Sequence, residues 1–437
     1  MKINIKNIGK ISSATIDIDG ISVIVGENGT GKSTIGKALY SAFNGLSNLT
    51  EKVESDREIS IENVIRRYLN QSFDYYLFRR VNKLDDLTRE IIFSYREGNF
   101  SKIFVTEKMN QLISEIKRFI DDSDISDAQI LDEDSRANLF DEVYNKIKNI
   151  LDIPAKSIQE KLLYKQFNNE FGQQIVNLSD VVQDSYVELL IKDKRYHFTI
   201  SNDAVNIESP FVGLQHKSVY LDNPFILEED FNKKLPSFFR NRESHQTTLH
   251  SLLMNEGGLV ATETILLDEK LKEIAQIFEQ VNVGELVKSE KNSIETFGYR
   301  EGNVDFSLKN VSLGLKTFII LKTLIERGHI TEHGLIILDE PEIHLHPQWQ
   351  VFFAELIVLL QKKFNLHILL TTHSPYFLEA IEVYSKIHKI SGNCNFYLSE
   401  ENGKKVSVQN INSDLSKVYE KFFQPFQTLE DLGSEML

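Results

Sequence analysis

The sequence of 437 residues predicts an α/β protein whose two ends form one core around a large, mainly helical insertion. Near the N-terminus, the apolar run 21–25 is typical of a strand buried on both faces, and a glycine-rich loop connects it to a helical pattern that begins at Lys32. In the C-terminal third, the apolar runs 334–338 and 366–370 flank a helical pattern over residues 349–360. Between these α/β regions the chain is mostly helical and charged.

We therefore expect three segments, which are an N-terminal part of the core over residues 1–45, an insertion over 46–300 and a C-terminal part over 301–437. Length alone suggests about three domains of roughly 150 residues, but one domain with a large insertion fits equally well. Alternating residues over 187–200 predict a β-hairpin within the insertion, and a final helix is expected over about 415–422.

Composition and charge limit the class of protein. Hydrophobic residues make up 41% and charged residues 26%, which is ordinary for a globular chain with a core. The net charge of −15 disfavours general coating of nucleic acid. No apolar run reaches the roughly 18 residues that cross a bilayer, and the N-terminus lacks the apolar stretch of a signal peptide. A single cysteine, Cys394, excludes an internal disulfide. We expect a cytoplasmic protein without membrane attachment.

A phosphate-binding loop is the most specific motif in the sequence. The segment GENGTGKS matches G-x-x-x-x-G-K-[ST], with a strand before it and a helix after it. Its glycines let backbone N–H groups surround phosphates, the helix N-terminus adds partial positive charge, and Lys32 reaches the β and γ oxygens. The Ser33 hydroxyl is placed to ligate Mg²⁺, and Thr34 can support the α-phosphate. The expected nucleotide contacts are Gly26, Glu27, Asn28, Gly29, Thr30, Gly31, Lys32, Ser33 and Thr34.

Two carboxylates and a histidine follow later strands of the predicted core. Asp339 and Glu340 come directly after the apolar run 334–338, where Asp339 would hold Mg²⁺ through water and Glu340 would act as general base on the attacking water. The alternative is that these carboxylates cap the next helix. His373, after the next strand, could bond a γ-phosphate or orient water, although a histidine alone in a loop is more often structural.

A family resemblance rests on these motifs together with the segment LDEPEIHLHP over 338–347 and the segment THSP over 372–375. They resemble ABC-type ATPases of the SMC, RecF and overcoming-lysogenization-defect (OLD) class, and most of all the OLD branch. That branch includes Septu PtuA-like and PARIS AriA-like ATPase subunits of bacterial anti-phage systems. The resemblance covers about 1–45 and 305–380. It implies an ABC-type head, with a mixed β-sheet flanked by helices and an antiparallel β-subdomain, and it implies ATP and Mg²⁺ as cofactors.

The resemblance also assigns a signature segment to residues 310–316. In this family Ser312 and the backbone of Gly314 would contact the γ-phosphate held by a second protomer, which implies a homodimer around two ATP molecules, with larger oligomers also compatible. The segment departs from the common L-S-G-G-Q form because Leu313 replaces the first glycine. The aspartate of the D-loop is also missing, and His346 stands in its place.

Two further assignments stay open in the sequence. Glu342, His344 and His346 could form a metal cluster, but their spacing matches no known set of ligands, and we favour a role at the dimer interface. The Q-loop glutamine should follow the first helix, where Gln71 is one candidate.

The function implied by the resemblance is an ATP-hydrolysing switch or scaffold subunit of an anti-phage complex. Only 64 residues follow His373, whereas OLD nucleases continue into a Toprim domain. We therefore expect no nuclease domain in this chain and a separately encoded effector, most simply a nuclease.

The alternative is a DNA-repair ATPase of RecF or SMC type that binds DNA directly. A scaffold that binds ATP and turns it over slowly is a third reading. Direct DNA binding would use a cluster of basic residues within the insertion, which are Lys233, Lys234, Arg240, Arg242 and His245.

Overall fold

The computed structural model describes residues 1–72, 84–121, 133–176, 184–201, 203–208, 213–214, 216, 218–228, 244–255, 260–291, 294–403 and 405–434. Contacts divide the chain into two compact units. The first combines Met1–Ser47 with Glu160–Leu437, and the second is Asn48–Gln159.

Helices and strands follow one another along the chain in four groups. The first contains β1 (Lys2–Ile8), β2 (Ile11–Asp17), β3 (Ile21–Val25) and α1 (Lys32–Leu46). The second contains α2 (Leu49–Ser72), α3 (Leu84–Arg96), α4 (Lys102–Asp121), α5 (Glu133–Asp152) and α6 (Ala155–Phe171). The third contains β4 (Tyr186–Ile191), β5 (Lys194–Ile200), β6 (Val205–Ile207), β7 (Ser218–Leu221), α7 (His245–Met254), α8 (Ala261–Val281), β8 (Glu285–Lys291), β9 (Ile294–Glu301) and β10 (Val304–Ser307). The fourth contains α9 (Leu313–Glu326), β11 (Leu335–Asp339), α10 (Pro347–Phe364), β12 (His367–Thr372), α11 (Pro375–Ile387), β13 (Cys394–Asn402), β14 (Lys405–Asn410) and α12 (Ser416–Ser434).

A mixed sheet dominates the first unit. Its eleven strands have the order β6-β5-β4-β1-β2-β14-β13-β3-β12-β11-β7, and the five strands from β13 to β7 are parallel. Every residue of β3 and β11 is buried, as continuous apolar runs in a parallel sheet require. A separate antiparallel sheet joins β8, β9 and β10. The predicted α/β class, with a mixed sheet and a small antiparallel sheet, is confirmed.

The separate helical unit is shorter than the expected insertion of residues 46–300. It covers 48–159, and the predicted boundary at 300 lies inside the first unit. The reason is strand pairing, because β4 pairs with β1 and β7 pairs with β11. The expected hairpin over 187–200 is present as β4 and β5.

The second unit has its own apolar core between helices. Its buried side chains recur at helical spacing and come from α2, α3, α4 and α5; they include Ile61, Ile65, Leu69, Ile91, Met109, Ile113 and Ile147.

Parallel strands bring distant parts of the chain to one edge of the sheet. β3, β12, β11 and β7 run in the same direction, so their carboxyl ends lie side by side, which is where open α/β sheets bind ligands. The phosphate loop follows β3 at this edge. In the described part of the chain, no helix combines the length and apolar character that crossing a membrane requires.

Candidate nucleotide site

The phosphate loop takes a conformation that depends on its glycines. Gly29 and Gly31 have φ angles of 82° and 80°, in the left-handed region that favours glycine. A side chain at Gly31 would also meet Ile11, because an added Cβ would lie 2.6 Å from Ile11 Cδ1. The loop can therefore pass close to the turn between β1 and β2 and enter α1 directly.

Lys32 is buried and folds back over its own loop. Its Nζ donates hydrogen bonds to the carbonyl oxygens of Gly26, at 2.9 Å, and Glu27, at 3.0 Å. The same ammonium lies 3.1 Å from Oε1 of Glu340. The structure thus joins the predicted phosphate-binding lysine and the predicted general base in a direct ion pair.

Glu340 is held in position by its backbone. Its φ angle is +50°, which a residue with a side chain adopts at a cost, and its N–H donates to the carbonyl oxygen of Thr371 at 3.1 Å and to Thr371 Oγ1 at 3.0 Å. These bonds to β12 fix the turn that follows β11. As a result the Glu340 carboxylate points toward Lys32 instead of continuing the strand.

Asp339 is buried at the end of β11, where two hydroxyl groups donate to it. Thr371 Oγ1 donates to Oδ1 at 2.5 Å, and the Tyr220 hydroxyl donates to Oδ2 at 3.1 Å. Burial, with help from the nearby Asp339 charge, raises the pKa of Tyr220 well above its ordinary value, so its hydroxyl remains a donor. The N-cap of α10 is His346, so the alternative in which Asp339 and Glu340 cap that helix is wrong.

His373 lies between two carboxylates at distances longer than hydrogen bonds. Its Nδ1 is 3.6 Å from Oε2 of Glu340 and 3.9 Å from Oε1 of Glu342. Among the described residues, Nδ1 has no hydrogen-bond partner. The facing Glu340 raises the pKa of His373 despite partial burial. His373, followed by Lys32, lowers the pKa of Glu340 to about 2.

Glu342 supports the backbone of the histidine loop. Its side chain is 1% exposed, and Oε1 accepts hydrogen bonds from Thr372 Oγ1, at 2.5 Å, and from the N–H of His373, at 3.2 Å. Burial raises the pKa of this carboxyl group. Within the described residues no group of three or more His, Cys, Asp and Glu side chains could hold a metal ion, and Nδ1 of His346 instead accepts the N–H of Gln348. The metal-cluster reading of Glu342, His344 and His346 is therefore wrong.

A cavity of about 580 Å³ opens in front of the loop. One wall comes from the phosphate loop and Glu340, and the other from the β1–β2 turn and the segment after α6. Its lining residues are Gly9, Lys10, Gly29, Gly31, Lys32, Ser33, Thr34, Lys37, Phe171, Gln174, Val176 and Glu340. The two walls are tied together, since the N–H of Gly9 donates to the carbonyl oxygen of Ile175 at 2.8 Å.

The signature segment lies outside this cavity. Ser312 is exposed and caps α9, where its hydroxyl accepts the N–H of Leu315 at 3.3 Å. Gly314 packs against the loop after β11, because an added Cβ would lie 2.8 Å from the carbonyl oxygen of His344. The phosphate loop with Glu340 and the signature segment with Ser312 and Gly314 were both predicted to contact nucleotide. Within one chain they do not line the same cavity.

Several contributors were missed by sequence reasoning. Tyr220 and Thr371 hold Asp339, and Lys10, Phe171 and Gln174 line the cavity, but none belongs to a recognisable motif. The one available signal was that the apolar strand 219–221 ends at an acidic residue, as β11 does.

The predicted insertion contains the Q-loop candidate and the candidate DNA-binding residues, and the structure describes only some of these side chains. Gln71 lies in α2, in the second unit, and its side chain is outside the described residues. Four members of the basic cluster, Lys233, Lys234, Arg240 and Arg242, also lie outside them. His245 is described, and its expected contact with DNA phosphate is wrong, because it is buried and both ring nitrogens bond carboxylates of Glu170 and Asp222.

Two relatives and one solved structure are similar to this chain. Endonuclease GajA of Bacillus cereus (strain HuB5-5) is 25% identical over 431 residues, which cover 90% of this chain and 57% of the relative. Septu protein PtuA of Bacillus mycoides (strain KBAB4) is 27% identical over 185 residues, which cover 40% of this chain and 22% of the relative. The SMC head domain from Thermotoga maritima is 10% identical, with a TM-score of 0.37, and the match covers 94% of this chain and 98% of that chain.

The relatives confirm the resemblance to Septu-type ATPases that the motifs predicted. The chain spans little more than half of the GajA length and a smaller part of the Septu protein. The family model described as "AAA ATPase domain" matches residues 1–378, which is most of the chain. On that match, the protein belongs to the AAA ATPase domain family.

Proposed function

We propose that this protein binds ATP with Mg²⁺ and hydrolyses it, and that it serves as a switch or scaffold subunit of a bacterial anti-phage defence complex. The observation that carries the ATPase proposal is the 3.1 Å contact between Lys32, in the phosphate loop, and Glu340, after the buried Asp339. A phosphate-binding cation and a carboxylate base at one end of a cavity are the arrangement that phosphoryl transfer to water needs.

Phosphate binding would exchange the partners of Lys32. Its ammonium now bonds two backbone carbonyl groups and Glu340. The β and γ oxygens of ATP carry more negative charge than carbonyl oxygens, so they would draw Lys32 from its loop. The N–H groups at the start of α1 would face the same phosphates.

The acidic and hydroxyl residues fit Mg²⁺, which prefers oxygen ligands and retains several waters. Ser33 lines the cavity, and Asp339 lies at the end of β11, which β12 separates from β3 in the sheet. An ionised carboxylate has about four acceptor positions, so the hydroxyl groups of Thr371 and Tyr220 leave Asp339 able to accept from metal-bound water. Bound Mg²⁺ would offset the charge that develops on the phosphate oxygens.

Glu340 is the proposed base, and the nucleotide would itself release it. With Lys32 and His373 beside it, Glu340 is a weak proton acceptor. When Lys32 binds the phosphates of ATP instead, the Glu340 carboxylate loses one positive partner. It can then accept a proton from a water that lies against the γ-phosphate. His373, 3.6 Å away, would orient this carboxylate or donate to the γ-phosphate.

Completion of the site would come from a second copy of the chain. Ser312 is exposed and does not line the cavity that contains Lys32. We propose that Ser312 and the backbone of Gly314 reach the γ-phosphate bound by the partner in an ATP-dependent homodimer. The proposed role in defence is supported by the similarity to a Septu protein. We propose in addition that the effector nuclease is encoded separately.

The test compares hydrolysis and binding in matched lysine variants. Lys32→Ala should abolish both ATP binding and phosphate release. Lys322→Ala is the control, because Lys322 also donates to two backbone carbonyl groups, at 2.9 and 3.1 Å, and lies 3.8 Å from a glutamate, yet it is not part of this cavity. Lys322→Ala should keep both activities. Phosphate release by Lys32→Ala at the rate of the unchanged protein would refute the proposal.

A further inference from the structure

A buried charged cluster surrounds His245, the first residue of α7. Its Nδ1 donates to Oε2 of Glu170 at 2.5 Å, and its Nε2 donates to Oδ2 of Asp222 at 2.9 Å. The backbone N–H of His245 also donates to Glu170 Oε1, at 2.7 Å. Burial alone would lower the pKa of His245, but the hydrogen bonds to Asp222 and Glu170 raise it to about 9, so both ring nitrogens carry protons near neutral pH.

The imidazole of His245 stacks on Tyr220. Their ring centroids are 4.4 Å apart with an angle of 27°, and Tyr40 of α1 lies edge-on to His245 at 6.0 Å. Tyr220 is fully enclosed, and its hydroxyl donates to Asp339. His245 thus packs against one face of the Tyr220 ring, and the hydroxyl of that ring donates to Asp339, the residue predicted to bind Mg²⁺.

Strand pairing fixes the backbone of Tyr220. Tyr220 is paired with Ile337 in the parallel register of β7 and β11, two residues before Asp339. Its remaining freedom is rotation of the side chain, which the stacked His245 and the edge of Tyr40 restrict. Glu170, the partner of His245, also directly precedes Phe171, which lines the nucleotide cavity.

We infer that His245 is a positioning residue for the nucleotide site: it fixes the Tyr220 ring so that the hydroxyl orients Asp339, and thereby sets how tightly the site takes Mg²⁺ with a nucleoside triphosphate. This inference rests on the proposed ATPase function. Burying the charged groups of His245 and Glu170, with Asp222 half-buried beside them, is costly, and an apolar side chain of similar volume would pack as well at lower cost. An apolar side chain would make no hydrogen bonds, whereas the imidazole ring of His245 is held in one orientation by hydrogen bonds from both ring nitrogens.

The experiment measures the Mg²⁺ concentration for half-maximal ATP hydrolysis. Tyr220→Phe keeps the ring and its stacking but removes the hydroxyl, and we expect a rise of about 10-fold, as for other groups that orient metal-binding residues. His245→Asn should raise the Mg²⁺ requirement by a similar factor. Binding of ATP in excess EDTA should stay within about twofold in both variants, since the phosphate loop is unchanged.

A double variant separates positioning from general damage. If His245 acts through the Tyr220 hydroxyl, His245→Asn combined with Tyr220→Phe should raise the Mg²⁺ requirement no further than the larger single effect. The control is His388→Asn, because His388 stacks on Tyr384 at 6.2 Å and lies 3.4 Å from Glu355, but it caps the C-terminus of α11 and does not line the cavity. Its Mg²⁺ requirement should equal that of the unchanged protein.

The Mg²⁺ requirement of these variants supports or overturns the positioning role of His245. A shifted Mg²⁺ requirement in Tyr220→Phe, with a non-additive double variant, supports it. Variants that unfold at lower temperature but keep the Mg²⁺ requirement overturn it, and Tyr220→Phe alone decides the point if His245→Asn does not fold. If the unchanged protein fails to hydrolyse ATP at any Mg²⁺ concentration, the proposed ATPase function fails instead.

Discussion

His245 and His373 each lie between two carboxylates, yet their surroundings differ. His245 is 7% exposed and bonds Glu170 and Asp222 at 2.5 and 2.9 Å. The His373 side chain is 38% exposed and stays 3.6 Å from Glu340 and 3.9 Å from Glu342. The first is a closed set of hydrogen bonds, and the second is an open arrangement with space between its charges.

The difference indicates what each cluster can do. Hydrogen bonds at the distances of the His245 cluster hold three side chains in one geometry, and breaking them leaves charges buried. The longer distances around His373 leave Glu340 and the imidazole able to change partners when phosphate arrives. A closed cluster can orient a neighbour, whereas an open one can take part in chemistry.

The largest effect should come from breaking the open cluster at Glu340. Glu340→Gln removes the base but leaves a side chain of the same size beside Lys32, so ATP hydrolysis should fall by about 10²- to 10⁴-fold. ATP binding should remain, because the phosphate loop is intact. Phosphate release and equilibrium binding of a fluorescent ATP analogue measure the two quantities. A variant that hydrolyses ATP within a few-fold of the original would exclude Glu340 as base.

Breaking the closed cluster around His245 should lower the stability of the fold. His245→Asn leaves the buried Glu170 and the half-buried Asp222 without their positive partner, and we expect the free energy of unfolding to fall by about 3 kcal/mol. Chemical denaturation at pH 7 measures it. The same change at His388, whose contact with Glu355 is 3.4 Å, should cost much less.

The pH dependence of that loss has a definite sign. The folded pKa of His245 is about 9, above the value of roughly 6.5 expected in the unfolded chain, and the groups that face it are Glu170 on α6, Asp222 and Tyr220 around the end of β7, and Tyr40 on α1. Its contribution is therefore fully present below about pH 6.5 and is lost as the pH rises through about 9. The stability gap between the original protein and His245→Asn should narrow over this interval. A gap that widens would contradict the assigned charge.

His373→Ala should have the opposite profile to His245→Asn. Because Nδ1 of His373 makes no hydrogen bond within the described residues, its loss should change the unfolding free energy by less than about 1 kcal/mol. Hydrolysis should fall by about 10- to 100-fold, with the Mg²⁺ requirement unchanged, since His373 does not touch Asp339. Paired kcat and unfolding measurements test this, and a large loss of stability without loss of kcat would reverse the comparison.

Sequence reasoning found the open cluster and misread the closed one for a physical reason. The phosphate loop, the Asp339-Glu340 pair and His373 each follow an apolar strand, and each is a local pattern whose chemistry demands particular residue types. Strand order then brings them to one edge of the sheet.

His245 has no such local pattern. Its partners Glu170 and Asp222 lie 75 and 23 positions away. Tyr220 lies 119 positions from Asp339, and the pairing of β7 with β11 brings these two residues together. Basic neighbours in the sequence suggested a phosphate contact for His245, which burial between two carboxylates excludes. The limits of the helical unit were missed for the same reason, because β4 and β7 join the large sheet through distant partners.

A similarly small effect on stability is expected at Ser312, which in a second chain would complete the open cluster around His373. Ser312 is exposed, and its capping bond to Leu315 measures 3.3 Å, so Ser312→Arg should cost no more than about 1 kcal/mol. In a Glu340→Gln background, which retains ATP, light scattering should show the mass doubling with ATP and Mg²⁺, and Ser312→Arg should prevent it. A bulky cation at this position would collide with the phosphate-binding face of a partner without disturbing its own fold. If the mass is already that of a larger assembly without ATP and ignores both substitutions, other surfaces build the oligomer, and the space around His373 serves hydrolysis inside a standing scaffold.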